Sequence, residues 1–339
     1  MNNLVSKILV VAPEGVADSL LFLPAVAAIR RHFVPAELHL LAEAGICALH
    51  ESHPLFEARL AWPGGPPWRR AGFFRALRAQ SFDLALLFRP GPGPRWGAVL
   101  AGARERVGRA GFPGRLLLTQ ALPPDAAGPG THRGQAFLEF ASALGARAGA
   151  ADLASGLALT QAGAEEQARL FRENGLREDA ALVALCPSAA DRPSRCWPIP
   201  SFARLAGLLS ERRFQVALFG PPSEKRALEE TARLAGLPLP QIQPGLRGLA
   251  ACLSKVKAVV ANDSGLLHLA AAAGGRVVGL YGPEAPAESL PRGFRAKAMY
   301  LSLDCSPCRA QTCPLRHHRC LEDLRPEDVL EGVLEVLKT

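Results

Sequence analysis

Residues 256–283 restrict the fold of this chain more than any other stretch. Val256 to Ala261 is an apolar run with one lysine inside it and reads as a strand buried on both faces. It stops at Asn262-Asp263-Ser264-Gly265. Leu266 to Ala273 is apolar almost all round and lacks β-branched residues, which predicts a deeply packed helix starting near Ser264. Gly274-Gly275 ends it, and Val277 to Tyr281 is a second short buried strand that breaks at Gly282-Pro283. Strand, turn, helix and strand, with small polar residues after the first strand, is the grammar of a parallel α/β sheet. In such sheets ligands collect at the carboxyl ends of strands, and the free N–H groups of a helix start suit a phosphate. His268 lies four residues after Ser264 and so on the same helix face. Spacing alone leaves two readings open: Asp263 and Ser264 cap a helix whose histidine is part of the core, or all three line a ligand site.

The rest of the chain repeats this grammar. Lys7 to Ala12 is a continuous apolar strand, followed by the loop Pro13 to Ser19. The pattern then predicts a helix from Ser19 to Phe33 with Asp18 as its cap and Pro24 as a kink, and a second strand at Leu38 to Leu41. This β-α-β opening lacks G-x-G-x-x-G, which argues against a dinucleotide cofactor. Asp18 is either a plain cap or a carboxylate at a strand end, able to take a proton from a hydroxyl. Phe73 to Gln80 reads as a short helix, Phe82 to Phe88 as a strand, and Gly134 to Leu144 as a helix. In the second half, a helix and linker occupy Thr160 to Ala180. Leu182 to Cys186 is a strand, Pro187 to Pro198 a loop, Ser201 to Ser210 a helix and Phe214 to Phe219 a strand. The alternation supports a doubly wound α/β class.

With 339 residues the chain has room for two domains at roughly 150 residues each. No apolar run approaches the roughly 20 residues that span a bilayer. The start, MNNLVSKILVVAPEG, lacks a small-residue cleavage site and reads as the first strand, so a cytoplasmic location is expected. A net charge of +8 points to an acidic partner: a phosphorylated substrate or an anionic membrane surface. Nucleic acid is set aside because aromatics are only 6% and no Lys/Arg run interleaved with aromatics stands out. The Arg-, Ala-, Gly- and Pro-rich makeup equally fits a high-GC genome. Arg89, Arg95, Arg104, Arg106, Arg109 and Arg115 face the single acid Glu105, which is a solvated face or an anion-docking surface.

Near the end, Cys305-x2-Cys308-x4-Cys313-x6-Cys320, with His317 and His318 close by, reads in a cytosolic chain as a metal site before disulfides. Zinc is the first candidate and iron the second, with free thiols the plainer alternative. Pro326 to Lys338 carries a helical apolar stripe.

NDSGLLHLAAAAG followed by VVGLYGP resembles the signature of glycosyltransferase family 9, the ADP-heptose:lipopolysaccharide heptosyltransferases. ILVVAPEGVADSLLFLPAVAAIRR resembles that family's amino-terminal segment, and PSAADRPSRCWP its phosphate loop. The resemblance implies a GT-B fold, two Rossmann-like doubly wound domains facing a cleft. An acceptor domain would span 1–165 and a nucleotide-sugar domain 176–325, including the cysteine cluster. A final helix, 326–339, would pack back across both. It implies an inverting transferase moving heptose from ADP-L-glycero-D-manno-heptose to the lipopolysaccharide inner core, with Asp18 as catalytic base. Arg195 would bind the donor diphosphate, Glu224 the ribose hydroxyls, and Asp263, Ser264, Gly265 and His268 the rest of the donor. Arg104, Arg106 and Arg109 would meet the acidic acceptor. No cofactor is implied for catalysis, and a zinc or iron at Cys305, Cys308, Cys313 and Cys320 would be structural. The lipid-anchored acceptor implies peripheral contact with the inner membrane.

Three positions depart from the family pattern. Ala17 stands where glycine is usual, Arg195 where lysine is commoner, and Glu284 where Ser or Thr is common near the phosphates. The departures keep two alternatives open: a family 9 enzyme with another donor or with a protein or natural-product acceptor, and a non-catalytic sugar-nucleotide-binding protein.

Overall fold

The computed structural model describes residues 5–109, 113–124, 130–149, 156–177, 180–188 and 192–338, and the chain divides into two compact units, 1–155 and 156–339. In the first unit, strands β1 (Lys7–Val11), β2 (Glu37–Ala42), β3 (Ala58–Ala61), β4 (Leu84–Leu87), β5 (Glu105–Arg109) and β6 (Gln120–Leu122) form one parallel sheet in the order β3-β2-β1-β4-β5-β6. Ile8 of β1 lies between Leu38 and Leu84, so the apolar KILVV run is buried from both sides, as a central parallel strand must be. The strand order reverses between β1 and β4. That makes the carboxyl ends of these two strands the switch point where a ligand crevice opens.

The helices of this unit are α1 (Val16–Leu21), α2 (Leu23–His32), α3 (Ala44–Leu49), α4 (Pro67–Ala76), α5 (Pro92–Leu100) and α6 (Arg133–Ala143). The β1-to-β2 step and the β3-to-β4 and β4-to-β5 steps run in opposite directions across the sheet. Right-handed crossovers therefore place α1 and α2 on one face and α4 and α5 on the other. Phe74, Leu77 and Ala98 from the latter pair close over Leu9, Val11, Ala85 and Leu87.

The second unit repeats the plan with β7 (Leu182–Cys186), β8 (Gln215–Phe219), β9 (Gln241–Ile242), β10 (Ala258–Asn262), β11 (Val277–Tyr281) and β12 (Ala296–Tyr300), ordered β12-β11-β10-β7-β8-β9 and all parallel. Its switch point lies between β10 and β7. The helices are α7 (Gln161–Glu173), α8 (Ile199–Glu211), α9 (Lys225–Ala235), α10 (Leu246–Leu253), α11 (Gly265–Ala272), α12 (Pro286–Ser289), α13 (Arg319–Glu322) and α14 (Pro326–Lys338). Helix α14 packs on α8 and on β10, β11 and β12 of this unit. Trp197, fully buried, stacks edge-on against Phe202 at the centre of the core. Among the described residues no helix is long and apolar enough to cross a membrane.

Two local expectations change. The predicted helix Ser19–Phe33 is two helices meeting at Phe22, and Pro24 sits in the first turn of α2, where its missing N–H costs nothing. Asp18 is not the cap. Gly15 caps α1 with φ 79°, and Asp18 lies inside the first turn. The left-handed residue of this loop is thus a glycine already, and Ala17 is an ordinary helical residue.

Candidate functional site

In the first unit the site is built at the carboxyl end of β1. The turn at Gly15 starts α1 so that Asp18 projects from its first turn, about one-third exposed. Arg133, the first residue of α6, donates from Nη2 to Asp18 Oδ1. The start of α6 is fixed by His132, buried, whose Nδ1 accepts from the Gly134 N–H at 3.1 Å. Behind Asp18, Ser19 is buried and donates from its hydroxyl to the Val16 carbonyl at 2.8 Å. Arg89, which follows β4 at the same sheet edge, pairs with Glu14 in the loop before α1 and lies 4.7 Å over the Trp62 ring. Asp18 is thus a carboxylate held by one guanidinium, on a helix turn whose preceding loop is braced by another.

The three arginines expected to meet an acceptor are dispersed. Arg104 lies just before β5 and pairs with Asp83, which also accepts from the Ser6 and Lys7 N–H groups; this is the amino edge of the sheet, opposite Asp18. Arg106 is committed to the Leu117 and Ala103 carbonyls. Arg109 ends β5 at the same edge as Asp18 and reaches the Ala136 carbonyl of α6 at 3.0 Å and Glu139 at 3.5 Å.

In the second unit the loop after β7 and the turn after β10 meet. Residues 189–191 of the expected phosphate loop lie outside the described residues; the rest forms a 3-10 turn, Pro193–Arg195, and an extended run to Trp197. Asn262 Oδ1 accepts from the Trp197 N–H at 2.9 Å, and Trp197 Nε1 donates to the Leu324 carbonyl at 3.0 Å, which pins that run to the sheet. Arg195, only 11% exposed at its side chain, reaches Asp263 Oδ2 at 3.4 Å and Glu284 Oε1 at 2.7 Å. Arg192 donates to the same Glu284 oxygen at 2.6 Å. Asp263 is buried and its Oδ1 accepts from the Ser289 hydroxyl at 3.0 Å. Ser264 caps α11 through its backbone, with its hydroxyl covered, and Gly265 opens the helix; His268 is buried one turn further on. Glu224 follows β8 and folds its carboxylate back over Gly220, close enough to Cys186 to reinforce the upward push that burial gives that thiol. Arg195, Asp263, Ser264, Gly265 and Glu284 thus form one cluster, and Glu224 lies beside it at the same sheet edge. Glu284, one of the departures from the family pattern, is paired with two arginines.

The segment 305–320 clasps these loops. The Ser306 hydroxyl donates to the Gly282 carbonyl, the Arg309 N–H to the Pro283 carbonyl at 2.8 Å, and the Ser194 hydroxyl to the Ala310 carbonyl at 2.8 Å. Arg309 also pairs with buried Glu288. Cys305, Cys308, Cys313 and Cys320 line one pocket with His317 and His318, and all four are free thiols. Burial and the neighbouring thiols push the Cys320 thiol up to about 11. The donor chemistry fits a thiophilic cation, but among the described residues no three of these groups are gathered as metal ligands.

Two doubly wound parallel units, one presenting a carboxylate and the other an arginine-lined helix start at their switch points, place the chain in the GT-B class of folds. The chain belongs to glycosyltransferase family 9 (heptosyltransferase), whose model matches residues 70–318. It is 28% identical over 98% of its length to lipopolysaccharide heptosyltransferase 2 of Salmonella typhimurium, covering 98% of that protein. The fold matches that of a family 9 glycosyl transferase from Veillonella parvula (TM-score 0.85, 17% identity, 100% of this chain and 99% of that one). It also matches E. coli ADP-heptose LPS heptosyltransferase II (TM-score 0.80, 23% identity, 98% of each chain).

Sequence reasoning missed Arg133, Arg192 and the tie between Asn262 and Trp197. The first two signals were present, as a Thr-His-Arg before a helix and an arginine three residues before Arg195. Their partners, Asp18 and Glu284, are too distant in sequence to be read from spacing.

Proposed function

We propose that the protein is an inverting heptosyltransferase that moves heptose from ADP-L-glycero-D-manno-heptose to a sugar of the lipopolysaccharide inner core, at the cytoplasmic face of the inner membrane. The observation that carries this is the match to lipopolysaccharide heptosyltransferase 2 along 98% of both chains, together with an acidic side chain at the end of β1. Asp18 takes the proton of the acceptor hydroxyl as its oxygen attacks the anomeric carbon; the bond from that carbon to the diphosphate breaks and ADP leaves. Arg195 and the N–H groups at the start of α11 stabilise the charge developing on the diphosphate. Glu224 holds the ribose hydroxyls, and Asp263 and His268 orient the donor. Of the acceptor arginines, Arg109 is the one whose position fits contact with a sugar beside Asp18. Displacement of this kind needs no cofactor. Release of ADP from ADP-heptose with a deacylated inner-core acceptor tests the reading. Donor binding without product from any core acceptor would redirect it to another acceptor class.

Glu284 favours a second reading, a family 9 enzyme with a different donor, because it occupies the guanidinium edges that a diphosphate would use. Competition binding with ADP-heptose and other nucleotide sugars separates the two.

We further propose that the four cysteines take up one structural zinc or iron ion, supported by their donor chemistry and by their shared pocket. Metal analysis should then return one equivalent per chain and a chelator should lower Tm. Metal-free protein of unchanged stability would contradict it.

A further inference from the structure

The outer faces of α4 and α5 carry two large exposed aromatic side chains, Trp68 (76% exposed) and Trp96 (55%). At 100° per residue, Trp68 lies on the side of α4 away from buried Phe74 and Leu77. Trp96 lies on the side of α5 away from buried Pro94, Gly97 and Ala98. The helices are close neighbours, because Gly97 admits the Phe74 ring where a Cβ would meet it at 2.6 Å. Leu116, also exposed, stands on the 3-10 turn Gly114–Leu117 that packs beside α5. Isolated exposed apolar residues are ordinary, but a charged setting of one sign around them is not.

Residues 62–118 hold ten arginines and two acids, Asp83 and Glu105, both at the amino edge of the sheet. Arg69, Arg70, Arg75, Arg78, Arg95 and Arg115 have no acidic partner within 4.0 Å among the described residues. Phe73 and Phe74, which stand among these arginines in the sequence, turn inward. Trp68 and Trp96 stand on two helices that become neighbours only in the fold.

We propose that the outer face of α4 and α5 is the surface by which the protein sits on an anionic lipid bilayer. Trp68 and Trp96 lie at headgroup depth and the unpaired arginines contact lipid phosphates. The tryptophans distinguish a bilayer from a soluble anion, which gains nothing from an exposed indole. Both helices begin just after the carboxyl ends of β3 and β4, the sheet edge that holds Asp18, so a lipid-anchored molecule would arrive beside that carboxylate. The surface rests on the membrane location in the proposed function, but its failure is distinguishable from failure of the transfer, since membrane partition is measured without turnover.

The test is co-sedimentation of the full chain with phosphatidylglycerol-containing vesicles and with phosphatidylcholine vesicles, alongside intrinsic tryptophan fluorescence. Trp197 is buried and Trp62 is covered by Arg89, so a blue shift reports Trp68 and Trp96. Binding to the anionic vesicles with a blue shift is expected, weakened by high salt. It should be lost in W68A/W96A and at least about tenfold weaker in R69E/R70E. Turnover of a deacylated acceptor should persist in both variants. Equal binding to phosphatidylcholine, variants that bind as the native chain does, or full displacement by inorganic phosphate would each overturn the proposal.

Discussion

Arg195 Nη2 lies 2.7 Å from Glu284 Oε1, and that same oxygen takes a second guanidinium, from Arg192, at 2.6 Å. One carboxylate oxygen therefore binds together the loop after β7 and the loop after β11, at the edge where α11 begins. All three side chains are mostly withdrawn from solvent, so the charges are screened less than surface pairs would be. In the proposed function, a donor diphosphate would have to compete with this carboxylate for the same two arginines.

Glu284→Gln should therefore tighten ADP-sugar binding, by about tenfold if one guanidinium is freed of its ion pair. The same change should lower Tm, because removing one member of a mostly buried cluster leaves like charges unbalanced. Titration calorimetry beside a melt measures both. Weaker donor binding in the variant would show that Glu284 positions the arginines instead of competing for them.

Arg133 acts on Asp18 and not on the donor loops, so its removal should separate kcat from donor affinity. Arg133→Ala is expected to lower kcat about tenfold to a hundredfold through misplacement of the carboxylate, with donor Kd unchanged; Arg133→Lys should recover part of the loss. Steady-state kinetics with a binding measurement on the same variants decides it.

Asn262→Ala removes the acceptor of the Trp197 N–H and leaves that buried donor without it, at a cost of about 1–3 kcal/mol. A unit of this size should melt several degrees lower, and the donor should bind more weakly because the run from Arg195 to Trp197 is no longer pinned.

His50 supplies a pH prediction for the first unit. Its ring is fully buried, and burial, with lesser contributions from His53 and Arg59, pulls its pKa down to about 3 against a Ser19 backbone contact acting the other way. Between the ordinary histidine value near 6.5 and that figure, the unfolded chain binds a proton that the folded chain refuses. Stability is thus complete above about pH 6.5 and falls as the pH drops, by a few kcal/mol at most from this residue. His50→Leu should flatten that acid limb relative to the native chain in denaturant melts across pH. An unchanged slope would mean that another group controls acid unfolding.

Much of the architecture could be read in advance because central parallel strands declare themselves. LVALC and VVGLY have no charged residue to hide, and the helix after Asn262 is apolar almost all round, His268 excepted. Edge elements escaped: β9 has two residues and β12 is half-exposed along its length, so neither gives a buried-strand signal. Asp18 was placed at the right sheet edge but in the wrong role within its helix, because a glycine in the left-handed region caps α1 by backbone geometry, which no side-chain rule reads. The arginines were counted correctly and grouped wrongly. Arg104, Arg106 and Arg109 lie close together in sequence, yet the length of β5 sets the first and last of them at opposite edges of the sheet.

Asp18 is the proposed base of a heptosyl transfer. The most direct measurement is ADP release from ADP-heptose with a deacylated inner-core acceptor, comparing the native chain with Asp18→Asn. Turnover by the native protein is expected, with a loss of several orders of magnitude in kcat for the variant and donor binding intact. Equal turnover by the two, or no turnover by a native protein that binds the donor, would contradict it.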